Sequence, residues 1–244
     1  MSYARYVAAF LLFALSAGLT RADGLLCQLP KDGAWATYDF DSNTKGPGGR
    51  NMNIKGALRI ASVGQTTEQE QPCRWIEVQL DSVVTVGEHK TEQSEIYKLL
   101  IPEKFLAKGE TPLEHVLRAW IRHGQGKPKK LDKPNDIDSS PLPIILSAPW
   151  KDVKQLESAE IESKRGKRAC KGVEGTLEIK SSRHGVVKGK FKSRLHADSP
   201  FGVAISHWTL QPPENAPVKT GDMEWDIKLV DFGADAKSKM PDAK

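Results

Sequence analysis

The run from Val7 to Leu19, VAAFLLFALSAGL, is uncharged and almost wholly apolar, and it stands just behind Arg5. A basic start, an apolar core of this length, and small residues Thr20 and Ala22 ahead of Asp23 are the three parts of a secretory signal. A membrane-spanning helix needs about 20 apolar residues, and Arg21 and Asp23 close this run short of that. Cleavage is predicted after Ala22, with Ser16-Ala17-Gly18 as the fallback site. A lipid anchor on Cys27 fits poorly, because Leu26 stands where a small residue is expected. The sequence therefore predicts an exported, soluble mature chain, periplasmic or extracellular, folding in oxidising surroundings.

Removing 22 of the 244 residues leaves 222, enough for one large β domain or two small ones. The net charge of +5 falls to +3 once Arg5 and Arg21 leave with the signal, too mild to imply nucleic acid as a partner. Mean hydropathy is −0.47, on the polar side of globular, which predicts a thin core or a solvated open face. Cys27, Cys73 and Cys170 permit one disulfide and one leftover thiol in three pairings. Cys73 with Cys170 is the favoured pair, because both start predicted strands while Cys27 lies in the lead-in.

Apolar residues at every second position mark nine strands. Ala36, Tyr38 and Phe40 alternate with Thr37, Asp39 and Asp41 within residues 33–41, and Gly46-Pro47-Gly48-Gly49 then breaks the chain. Ile54, Leu58 and Ile60 form a second strand, Ile76, Val78 and Leu80 a third, and Glu95 to Ile101 a fourth ended by Pro102. Beyond Val153 a meander is predicted: Leu156 to Ser163, Ala169 to Ser181, Val186 to Ala197, Phe201 to Gln211 and Met223 to Val230. Short connections favour antiparallel neighbours.

One helix is predicted, over Pro112 to His123. Thr111 and Glu114 have capping-box spacing, Pro112 suits the first helical position, and Gly124 suits the end. Leu113, Val116, Leu117, Trp120 and Ile121 fall at i, i+3, i+4, i+7 and i+8, a stripe that would lie on a sheet face. The stripe reads first as plain core and second as the wall of a ligand cavity, and the same order holds for Trp75, Trp208 and Trp225. The proline- and lysine-rich connector 124–143 is assigned to one domain spanning 23–232, since either half alone would leave an apolar sheet face wet. Residues 233–244, without apolar periodicity, are predicted to be a disordered tail.

The fold class is thus mainly β (α+β): a curved antiparallel sheet or half-barrel of about nine strands packed on one amphipathic helix. With Gly56, Gly172, Gly175, Gly189 and Gly202 in or beside strands, and Pro200-Phe201-Gly202-Val203 opening a late one, the pattern resembles the bacterial periplasmic lipoprotein-carrier superfamily of unclosed β barrels. That resemblance implies an apolar cavity between sheet and helix able to take acyl chains. It matches no binding residue of that family to a position here.

Lys188, Lys190, Lys192, Arg194 and His196 share one face of a strand, and Lys164, Arg165, Lys167, Arg168 and Lys171 crowd a nearby turn. Together they would form a basic patch for anionic headgroups or polysaccharide, or else a solvated face that deters edge pairing. His184, His196 and His207 lack metal-ligand spacing, and no Gly-x-Ser-x-Gly, HExxH or P-loop motif occurs. No catalytic residue, metal or cofactor is therefore assigned. The leading expectation is an exported, non-enzymatic protein binding an apolar or amphiphilic ligand, such as a lipid or lipoprotein acyl chain, between helix and sheet. The alternative is an envelope interaction protein that uses the basic face and has no interior ligand.

Overall fold

Alternation sets the inner face of the sheet. In β1 (Trp35–Lys45) Ala36, Tyr38 and Phe40 are buried, whereas Asp39 is exposed. The computed structural model describes residues 24–26, 28–46, 49–107, 109–132, 137, 146, 149–181, 185–212 and 221–240. The signal segment, its cleavage site, Cys27 and His184 lie outside them.

After β1 come β2 (Asn51–Glu68), β3 (Gln71–Val86), β4 (His89–Pro102), β5 (Arg118–His123) and β6 (Lys129–Lys130). Then follow β7 (Trp150–Ser163), β8 (Gly166–Ser181), β9 (Gly185–Leu195), β10 (Val203–Gln211) and β11 (Met223–Gly233). All eleven belong to one antiparallel sheet in the order β6-β5-β4-β3-β2-β1-β11-β10-β9-β8-β7, so β6 and β7 are its free edges and it is not closed. The sheet therefore has eleven strands, not the expected nine or so, and β5 and β6 lie where the sequence suggested a helix and a connector.

The sheet curls hard at one end. Although β8, β9 and β10 separate β7 from β11 in the ladder, Lys164 N donates to Val230 O at 3.2 Å and Arg165 pairs with Asp231 at 2.8 Å. Leu25, Leu26, Ile137 and Leu146 are buried in the same apolar cluster as the inner face, and Leu26 N donates to Leu146 O at 2.9 Å. Of the described connector residues, Ile137 thus packs into the hollow of the sheet, while residues 124–130 are mostly exposed and form its edge at β6.

The helix over Pro112 to His123 is not there. Pro112–His115 makes a single 3-10 turn, in which Thr111 gives no side-chain cap, and Val116 turns extended at φ −68° and ψ 120°. Leu117 N then donates to Leu100 O at 2.9 Å, and β5 pairs with β4 from Leu100↔Arg118 to Glu95↔His123. Pairing with a neighbouring strand outweighs a local helical pattern, as tertiary context commonly does.

The tail also departs from expectation. Residues 234–240 lie across the outer face of β3, β4 and β5, where Met240 is buried against Ile96 and Trp120. Trp35 Nε1 donates to Asp235 at 2.7 Å, and Ala236 N donates to Gly33 O at 2.8 Å. Residues 238–240 are held by Glu77 and Lys98.

Cys73 and Cys170 are both free, which corrects the favoured disulfide. Five strands separate β3 from β8 in the ladder. Cys170 belongs to the inner cluster, whereas Cys73 alternates with the core-facing Ile76 and Val78 and so looks outward. Burial pushes both thiols above their usual pKa.

Candidate functional site

The five residues of the expected stripe are not brought onto one wall. Leu113, Val116 and Ile121 pack into the inner core and Leu117 is half-buried. Trp120 faces the other way, 5.5 Å from Trp75 on the outer side of the sheet. In a strand, consecutive residues such as Trp120 and Ile121 must point to opposite faces.

The inner face instead carries an aromatic band that runs across six strands. Phe40 of β1 stacks on Trp225 of β11 at 5.8 Å between centroids. Trp225 stands opposite Trp208 of β10, and Trp208 opposite Phe191 of β9. Phe191 stands opposite Gly175 of β8 and stacks on Trp150 of β7 at 4.2 Å, with the rings 23° apart. Gly175 is what lets the band cross β8: a Cβ there would meet Lys151 O at 2.5 Å and the Phe191 ring at 2.9 Å.

Within this band Trp150 Nε1, Trp208 Nε1 and Trp225 Nε1 are buried and have no hydrogen-bond partner among the described residues. Trp208 and Trp225 are each 1% exposed. A buried indole N–H ordinarily finds an acceptor, and leaving one unpaired costs about 1–3 kcal/mol. Tyr38 adds a fourth polar group to the same core. Burial drives its pKa upward, and Ser199 offsets this only in part, without the geometry of a full hydrogen bond. Ser193 and Ser206 satisfy each other at 2.5 Å.

The basic groups separate. Lys188, Lys190 and Lys192 are exposed on the outer face of β9, with Glu178 directly opposite Lys188 and Glu174 opposite Lys192 on β8. Such cross-strand neighbours of opposite charge offset one another. Arg194 reaches over Gly172 to donate to Glu157 O. Arg165 lies at the β7–β8 tip on Asp231 and over Phe232, and Arg168 donates to Arg165 O at 3.2 Å. A cleft of about 510 Å³ does lie over β8 to β10, lined by Lys151, Lys188 and Lys190 together with Glu178 and Asp222.

His207 Nδ1 meets Asp226 at 2.9 Å, and His196 Nδ1 accepts from Asp198 N at 3.1 Å. Among the described residues no group of three His, Cys, Asp or Glu is placed to hold a metal ion. Sequence reasoning singled out Trp208 and Trp225 but missed Trp150, Phe191 and Phe40 as their companions. Each occupies a core-facing position, and only the register lines them up.

No protein-family model matches the chain, and no curated protein matches it. Among solved structures, a Bacteroides fragilis protein described as exported, with a YmcC-like fold, is similar at 9% identity and a TM-score of 0.34, over 86% of this chain and 99% of that one. A Parabacteroides distasonis protein described as a lipoprotein is similar at 10% identity and a TM-score of 0.32, over 87% of this chain and 100% of that one. A DUF1329 family protein from Desulfovibrio piger is similar at 9% identity and a TM-score of 0.30, over 86% and 88%. Likeness at this level assigns no function; the chain's own residues must carry that.

Proposed function

We propose that this is an exported, non-enzymatic protein that holds an amphiphilic ligand, such as a lipid or a lipoprotein acyl chain, against the inner face of its half-barrel. Export is supported by the apolar run Val7 to Leu19 behind Arg5. Binding is supported by one observation above all: three indole N–H groups are buried without acceptors among the described residues, along an aromatic band. An amphiphile answers both features, since its chain covers rings and its ester or amide oxygens accept from indoles. The ligand lies between the sheet and the segments carrying Leu25, Leu26 and Leu146, and its entry displaces those leucines.

The test is quenching of tryptophan emission by a lysophospholipid brominated along its acyl chain. Saturable quenching that weakens in the Trp208→Phe, Trp225→Phe double variant supports the proposal. Quenching that never saturates, or that is the same in the double variant, rejects it.

The second reading is contact with an anionic envelope surface through the outer face of β9. The cleft lined by Lys151, Lys188 and Lys190 favours it, and Glu174 and Glu178 oppose it. Charge reversal of Lys188 and Lys190 should abolish salt-dependent retention on anionic vesicles, and unchanged retention rejects this reading.

A further inference from the structure

A second cleft, of about 450 Å³, opens on the outer face between the far end of β2 and the Trp75–Trp120 pair, with Met240 at its edge. Its shape begins with an irregularity in the β2–β3 ladder. Register shifts between Ser62 and Gln65, and Gly64 takes φ +143°, a conformation that side chains resist. Bulges of this kind bend a strand and re-aim the side chains beyond them. Residues 65–68 therefore stand as one wall of the cleft and the two indoles as another, their rings 5.5 Å apart and inclined at 54°.

The charged groups lining the cleft, Glu68, Lys98 and Arg118, already have partners. Glu68 takes Arg118 in a two-point pair, Oε1 to Nε at 3.0 Å and Oε2 to Nη2 at 2.7 Å, with the Arg118 side chain 49% exposed. Lys98 sits 5.3 Å from the centre of the Trp75 ring and faces Glu77 across the ladder. A cationic ligand would meet Lys98 and Arg118 in the lining, and an anionic one would meet Glu68, with Arg118 already engaged by it. The chemistry that fits is an uncharged molecule with an apolar face for the indoles and several hydroxyls for the ion pair and for Thr66 and Thr67. That combination is a neutral saccharide.

We propose that this outer cleft binds a neutral oligosaccharide, with one sugar ring stacked on the Trp75–Trp120 corner and its hydroxyls bridging Glu68 and Arg118. Stacking supplies burial of the C–H face, and the preformed ion pair supplies fixed donors and acceptors at little ordering cost. The site is separate from the inner aromatic band, so the two ligands do not compete.

The experiment is calorimetric titration of the mature chain with four neutral tetrasaccharides (cellotetraose, maltotetraose, chitotetraose and mannotetraose) and with charged tetragalacturonate as control. At least one neutral probe is expected to bind. Arg118→Gln, an exposed change that touches no core residue, should weaken it about tenfold or more, and Trp75→Ala further still, with folding checked by circular dichroism. Preference for tetragalacturonate, failure of all four neutral probes, or unchanged affinity in folded Arg118→Gln would each overturn the assignment.

Discussion

Glu77 and Lys98 face each other across β3 and β4, and between them they hold the end of the chain. Glu77 accepts from Lys239 N at 2.8 Å and Met240 N at 3.2 Å, and also from the Ser238 hydroxyl. Lys98 Nζ donates to Ser238 Oγ at 3.1 Å and Met240 O at 3.2 Å. The two are 2% and 4% exposed, so each charge depends on the other and on residues 234–240, a strap across this face, for its solvation. Glu77→Gln should lower unfolding free energy by about 2–4 kcal/mol. Lys98→Met should do likewise, and the double variant should lose less than the two losses added together. Urea denaturation of the four proteins measures this.

Removing residues 236–244 strips Met240 from Trp120 and the donors of residues 238–240 from Glu77. Emission from Trp75 and Trp120 should shift to the red, and the melting temperature should fall by about 2–4 °C for each kcal/mol lost. Unchanged emission would mean that the strap does not cover the indoles in solution.

The strap also explains what could and could not be read from the sequence. Tyr38, Phe40, Ile76, Val78 and Ile227 sit at core-facing positions with polar neighbours, and strands of that kind were legible. The run Leu113 to Ile121 was not, because β5 is covered on both sides: Ala119 and Ile121 face the core while Trp120 faces the strap. A strand buried on both faces loses its two-residue alternation and can be mistaken for a helix. The tail gave no signal, since it is held mainly by its backbone groups on Glu77 and Lys98, and composition is blind to that. The outward-facing apolar residues Trp75 and Ile96 were the available hint that something covers this side. The aromatic band depends on register, which alternation alone does not set across a long meander.

Gly175 is the position where the band crosses β8, and it has no room for a methyl group. Gly175→Ala should cost about 1–3 kcal/mol by overpacking and should part Trp150 from Phe191. Near-ultraviolet circular dichroism reads the stack and urea denaturation reads the loss. A variant with wild-type spectrum and stability would contradict the register.

Cys73 and Cys170 carry thiol pKa values raised by burial. The folded state therefore holds these protons more tightly than the unfolded chain does. Their contribution to stability is fully present below the unfolded thiol pKa of about 8.5 and is lost as pH rises through the folded values. The urea midpoint should fall between neutral and alkaline pH, and the Cys73→Ala, Cys170→Ala variant should fall less over the same range. In the native chain both thiols should resist a soluble maleimide until denaturant is added.

The aromatic band with its three acceptor-seeking indoles is tested most directly by native mass spectrometry of the chain purified, without detergent, from the exported fraction. A bound amphiphile that is released on unfolding, and that is absent from the Trp208→Phe, Trp225→Phe variant, is the predicted result. A single bare-protein mass from repeated preparations, unchanged when lysophospholipid is supplied, would contradict it.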